Sequence, residues 1–170
     1  MRRPDWKEME VPMTPAERKD AINTIKTFPK TLTVTIANLT DHQLDTPYGE
    51  GKWTVRQVVH HLADAHVNAF ARLKMMLTEE APTLKPYDQE RWAELHDTLS
   101  LPVEPSLKIL TGLHQRWAKL LETMDDDDFR RTAFHPEEGD IDLDWHLKVY
   151  ANHCTKHLGH IKGLLDKKGW

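Results

Sequence analysis

Four stretches of the chain carry apolar residues at intervals of three and four, the repeat that gives a helix one buried face. The most regular is Val55, Val58, Val59, Leu62, Phe70, Leu73 and Leu77. Thr54-Val55-Arg56-Gln57 opens it as a capping box, and Trp53 and Val58 are placed to staple the start. This predicts a helix from the Thr54 cap to about Glu79, ended by Pro82 and Pro86. Thr14-Pro15-Ala16-Glu17 is a second capping signal and predicts a helix from Pro15 to about Leu39. Pro29 falls inside that run, so a kink or break is expected near Phe28. A third helix is predicted from Pro105 to about Met124, burying Leu107, Leu110, Leu113, Trp117, Leu120 and Leu121. A fourth runs from about Asp142 to Lys167, with acids near its positive end, Lys167 and Lys168 near its negative end and Gly169 as its stop.

The segments between read as connections. Residues 1–13 look irregular, with Pro4 and Pro12 as breakers, and Leu39 to Lys52 holds Asp41, Pro47, Gly49 and Gly51. A short helix is expected from Asp88 to His96. Asp125 to Asp128 reads as a solvated turn able to cap the next one, and Phe134 to Asp140 as a loop with room for a brief extended pairing. The fold expected is all-α: a four-helix bundle with short connecting helices, in one domain spanning residues 1–170.

Composition narrows the function classes. Lys and Arg number 23 against 27 Asp and Glu, a net charge of −4, which argues against a general nucleic-acid binder. Mean hydropathy is −0.65 and no apolar run is long enough to span a membrane. The first residues lack the apolar core of a secretory signal, and the lone Cys154 cannot form an internal disulfide. These features lead to the expectation of a soluble cytoplasmic protein. No phosphate-binding glycine loop and no Gly-x-Ser-x-Gly elbow occurs.

The chain holds 11 histidines, and their spacing carries the candidate chemistry. His153 and His157 lie one turn apart on the fourth helix, able to reach one metal ion at the 2.0–2.1 Å of a Zn–N bond. They belong to a stripe with His146, Tyr150 and His160, interleaved with apolar residues. Core-facing imidazoles need partners, and a divalent ion satisfies several neutral nitrogens at once. A third ligand must come from elsewhere, and the second helix offers candidates. His61 lies close to its core edge, His60 is more peripheral, and His66 lies nearer the Leu62–Phe70 line. Asp64, three residues after His61, could orient a ligand imidazole or could pair with a surface cation such as Arg72 or Lys74. His42, His96, His114 and His135 read as structural or surface residues, His135 also as a substrate contact at the end of the bundle. Cys154 reads as a buried thiol, and most of the tryptophans as core or staple residues.

Trp53 through Asp64, Lys85-Pro86-Tyr87-Asp88, Leu113 through Trp117, and His153-x-x-x-His157-x-x-His160 together resemble the DinB/YfiT superfamily, more narrowly the YfiT-type metal-dependent hydrolases of bacilli. The resemblance runs from about Thr14 to Trp170. It implies a four-helix bundle, commonly a homodimer, that binds one zinc or nickel ion per chain through three histidines. The matching positions are His61, His153 and His157.

Three nitrogen ligands leave an open position, as catalytic zinc sites do. The first expectation is hydrolysis of a small-molecule substrate by metal-activated water. The second is a low-molecular-weight thiol S-transferase of the bacillithiol type, suggested by relatives in the superfamily. The third is a metal- or ligand-binding stress protein without turnover. No acid placed like the glutamate of His-Glu-x-x-His supplies an obvious general base.

Overall fold

A computed structural model of the chain describes residues 12–170. In chain order the elements are α1 (Pro15–Ile36), α2 (Asp41–Leu44), α3 (Val55–Thr78), α4 (Gln89–Trp92), α5 (His96–Ser100), α6 (Glu104–Leu121), α7 (Asp126–Phe129), β1 (Thr132–His135), β2 (Gly139–Asp142) and α8 (Leu143–Lys168). The part of the irregular segment expected over residues 1–13 that precedes residue 12 lies outside the described residues.

The four long helices form the bundle. Both α1 and α3 pack along α6 and α8, so α1 and α3 face each other across the diagonal, as do α6 and α8. Neighbours in sequence are thus not always neighbours in space. The crossings occupy residues 37–54 and 122–142, which carry α2 in the first case and α7 with the hairpin in the second. Ile25, Leu32, Leu62, Leu73, Leu110, Trp117, Leu147 and Ile161 fill the centre.

The capping residues act as their chemistry dictates. Thr14 and Thr54 each accept from the backbone N–H three residues on, and Glu17 and Gln57 reach back to them. Thr40 and Gln43 form a third such box at α2. Asp125 accepts from the N–H groups of Asp127 and Asp128, both at 2.9 Å, and starts α7. The expected short helix over Asp88 to His96 is instead two: α4, capped by Asp88, and α5, separated by Ala93–Leu95. The loop expected over Phe134 to Asp140 is tighter than a loop. β1 and β2 pair antiparallel, Thr132 with Asp142 through His135 with Gly139. The segment after α3 joins this hairpin, with Phe134 N–H donating to Pro82 O and Leu84 N–H to Phe134 O.

Pro29 does not break α1, which runs as one helix from Pro15 to Ile36. The expected break rested on the carbonyl left without a donor four residues back. That carbonyl, on Ile25, lies 2.6 Å from His114 Nδ1 of α6. A side chain replaces the missing N–H.

Two guanidinium groups, buried at Arg56 and part-buried at Arg18, hold the connections down. Arg56 meets Asp45 at 2.6 Å, Asp41 at 2.9 Å and the Leu101 carbonyl at 3.1 Å. Arg18 grips buried Asp144 through two nitrogens, at 2.6 and 2.8 Å, and also pairs with Asp126. Asp144 further accepts from Met13 N–H at 3.1 Å. Asp144→Ala leaves Arg18 with only the exposed Asp126, and breaking a buried pair from one side costs about 3 kcal/mol. The expected result is a lower urea midpoint at unchanged slope, with Asp144→Asn between the two.

Candidate metal centre

α3 and α8 pack face to face, and this brings His61 of α3 against His153 and His157 of α8. The ring centroids lie 5.2 Å apart for His61 and His153, 5.0 Å for His61 and His157, and 4.4 Å for His153 and His157. One nitrogen from each ring falls within 4.8 Å of the others. The Nε2 atoms of His61 and His153 are 3.2 Å apart. Two nitrogens bound at 2.0–2.1 Å in a tetrahedron stand roughly 3.3 Å apart, so the donor spacing fits a small divalent ion.

The chain before α3 builds the wall beside these rings. Tyr48 N–H donates to Trp53 O at 3.1 Å and Val55 N–H to Thr46 O at 3.3 Å, closing a clamp that turns at Gly51 with φ of +62°. The clamp sets the Trp53 ring 4.6 Å from His61 and parallel to His157 at 6.4 Å. It also stacks Tyr48 on His160 at 4.4 Å.

Burial pushes His61 down to about 4 and His157 to about 3, and holds His153 well below the ordinary imidazole value. For His153 and His157 the neighbouring imidazoles add to the effect. All three are therefore neutral at pH 7, and none carries the second proton that would leave it without a lone pair for a metal. His157 Nδ1 is buried with no hydrogen-bond partner among the described residues.

The three rings line a cavity of about 230 Å³, together with Tyr48, Trp53, His160, Gln89 and Glu90. The exposed side chains of Lys52, Gln89, Glu90 and Lys156 mark its mouth. A larger cleft of about 630 Å³ runs alongside, lined by Arg72, Tyr87, His135, His146 and Tyr150 among others. His153 and Gln89 belong to both.

The other histidines sort by their partners. His60 is buried rather than peripheral: its Nδ1 lies 2.8 Å from Ser106 Oγ and its Nε2 3.1 Å from the Leu101 carbonyl. His146 Nε2 donates to Ala69 O at 3.1 Å, and its ring stands beside Trp117. His42 and His96 are exposed. His135 ends β1, buried, in the wall of the larger cleft. His114 is a core residue, and its ring stands 4.9 Å from that of His66.

Asp64 does not orient a ligand imidazole. No hydrogen bond joins its carboxylate to His61 among the described residues, and burial, with the Asp97 carboxylate adding to it, pushes the Asp64 carboxyl up. Nor does Asp64 pair with Arg72 or Lys74. The residue that contacts a site imidazole from behind is His66, whose Nε2 is 3.1 Å from His153 Nδ1. Spacing left the role of His66 open because its partner lies on another helix. Glu90, too, enters the cavity from α4 and carries no signal in local spacing.

Cys154 is buried, and burial pushes its thiol up. Trp117 is core, Trp53 and Trp145 pack against the core, and Trp92 and Trp170 are exposed. Trp6 lies outside the described residues. Among the described residues, no helix is long and apolar enough to cross a membrane.

Comparison with known proteins agrees with this fold. Residues 24–161 match the model of the DinB superfamily. A protein of Oceanobacillus iheyensis, provisionally named a metal-dependent hydrolase, is 48% identical over 149 residues, 88% of this chain and 86% of its own. YfiT of Bacillus subtilis, provisionally named likewise, is 44% identical over 156 residues, 91% of this chain and 88% of its own. The solved structure of Bacillus subtilis YfiT, described as having an unusual four-helix bundle topology, superposes with a TM-score of 0.92 at 40% identity, over 99% of this chain and 94% of that one. TT2238, a four-helix bundle protein, shares the fold with a TM-score of 0.60 at 20% identity, over 85% of this chain and 98% of that one. The chain belongs to the DinB superfamily, with YfiT among its relatives.

Proposed function

We propose that the chain is a metal-dependent hydrolase in which His61, His153 and His157 hold one divalent ion, zinc or nickel, per chain. The observation that carries this reading is the convergence of three neutral imidazoles on the wall of a cavity with an open mouth. Relatives named as metal-dependent hydrolases support it. An ion held there supplies a Lewis acid and a water acidified enough to attack at neutral pH.

The chain's own residues supply the rest. Trp53 shields one side of the cluster from water and keeps the local dielectric low. Glu90 lines the same cavity and is the carboxylate placed to take a proton from the nucleophile. The adjoining cleft admits a small-molecule substrate and leads it to the His153 side. Burial keeps the Tyr150 hydroxyl in its protonated form, as a donor to a substrate oxygen.

The test uses p-nitrophenyl acetate and an amide analogue, with no thiol added, on tag-free protein before chelation, after it, and after zinc is restored. Hydrolysis should disappear on chelation and return with zinc. Glu90→Gln should lower turnover about 100-fold with metal content unchanged. Turnover that appears only when a low-molecular-weight thiol is supplied would replace hydrolysis by thiol transfer.

A further inference from the structure

We propose that His66 and His114 are positioning residues for the metal site. With His153 they form a row of three hydrogen-bonded imidazoles, anchored on the Ile25 carbonyl, that fixes the tautomer of His153 so that Nε2 faces the site bare. This rests on the reading that His61, His153 and His157 hold the ion.

The hydrogen order follows from one end. Pro29 has no N–H, so the Ile25 carbonyl lacks its helical donor. His114 Nδ1 stands 2.6 Å from that oxygen. A carbonyl can only accept, so Nδ1 carries the hydrogen. His114 is buried among apolar and aromatic side chains and is neutral there, which leaves its Nε2 as an acceptor. His66 Nδ1 lies 2.8 Å from His114 Nε2 and must donate. His66 is fully buried, so its Nε2 is in turn an acceptor. His153 Nδ1 lies 3.1 Å from His66 Nε2 and donates to it. The last free lone pair in the row is that of His153 Nε2, 3.2 Å from His61 Nε2.

One hydrogen per ring and one direction satisfy every contact. Reversing any ring would set two hydrogens or two lone pairs against each other. The rings are also held in place. His66 packs between Phe28 at 5.8 Å, Trp117 at 5.8 Å and Tyr150 at 5.9 Å, centroid to centroid. A metal-binding imidazole ordinarily donates its second N–H to a carboxylate or carbonyl, which fixes its tautomer and raises its basicity. Here two further imidazoles relay that role from a backbone carbonyl on α1. The proline that looked like a flaw in α1 is what leaves this carbonyl open to a side chain.

Two measurements test the row. Long-range ¹H–¹⁵N spectra of the zinc-free wild-type protein should show His114, His66 and His153 as Nδ1–H tautomers. His153 as the Nε2–H tautomer, or as a mixture in exchange, overturns the proposal whatever the variants do. Zinc affinity, read by competition with a chelating dye, should fall about 10- to 100-fold in His66→Phe, which can neither donate nor accept. His66→Gln should recover much of it, because one amide can donate to His114 Nε2 and accept from His153 Nδ1. His66→Phe binding zinc within about twofold of wild type overturns the proposal. Failure of the wild type to bind zinc or nickel overturns the functional reading instead, and the tautomer spectra still decide the hydrogen order.

Discussion

Replacing His157 with alanine is expected to empty the metal site without unfolding the bundle. The wild-type protein, purified without a tag, should carry about one divalent ion per chain by elemental mass spectrometry. The variant should carry less than about a tenth of that. The reason is geometric: His157 is one of three nitrogens gathered within 4.8 Å, and two imidazoles alone make a weak site. Stability should separate this from simple damage. Zinc at about 100 times its Kd would stabilise the wild type by roughly 2.7 kcal/mol, or about 5–10 °C in Tm for a chain of this size. The variant should gain nothing. Without metal its Tm should stay near that of the metal-free wild type, because the substitution trades some packing for removal of a buried Nδ1 that has no partner. Metal retained by His157→Ala would remove this residue from the ligand set.

The contrast between legible and hidden features follows from range along the chain. Thr54 with Gln57 and Thr14 with Glu17 act within one turn, so the starts of α3 and α1 can be read directly. The i, i+4 pair His153 and His157 is local in the same sense, and the fold brings both rings to one place. Ends are softer. The last turns predicted for α1 and α6 are absent beyond Ile36 and Leu121, where no capping signal fixed the stop. What spacing could not supply was contact across the bundle. Pro29 reads as a helix breaker until His114, 89 residues away, is seen on the Ile25 carbonyl. His66 and Asp64 illustrate the same limit in opposite directions. Asp64 had the right chemistry three residues from His61 but makes no hydrogen bond to it among the described residues. His66, with no charge to recommend it, meets His153. A useful signal was nonetheless present: a proline in mid-helix demands a donor from some other element, and a buried histidine is well suited to provide it.

Acid should unfold the metal-free protein far more readily than its size suggests. Burial pushes His61 and His114 down to about 4 and His146 and His157 to about 3, whereas in the unfolded chain each titrates near 6.5. For a base whose folded value is depressed, the native state binds fewer protons than the unfolded one. Stability is therefore fully present above about pH 6.5 and falls as pH drops, until the folded values are reached near 3 to 4. Each group contributes up to about 1.4 kcal/mol per pH unit across that window. Even at half efficiency, four such groups remove on the order of 4 kcal/mol by pH 5, a large share of a typical 5–15 kcal/mol. Tm measured from pH 7.5 to 4.5 should fall steeply below about 6. His146→Gln, which removes one depressed imidazole outside the three-histidine cluster, should flatten the curve. Bound zinc should shift the transition to lower pH, because three of the nitrogens are then held against protonation. The same burial predicts that zinc affinity in the folded protein stays nearly level from pH 7.5 to about 5.5. An exposed three-histidine site would already lose affinity below 6.5. A smooth loss beginning at pH 6.5, with the fold intact by circular dichroism, would show that the cluster titrates as if open to water.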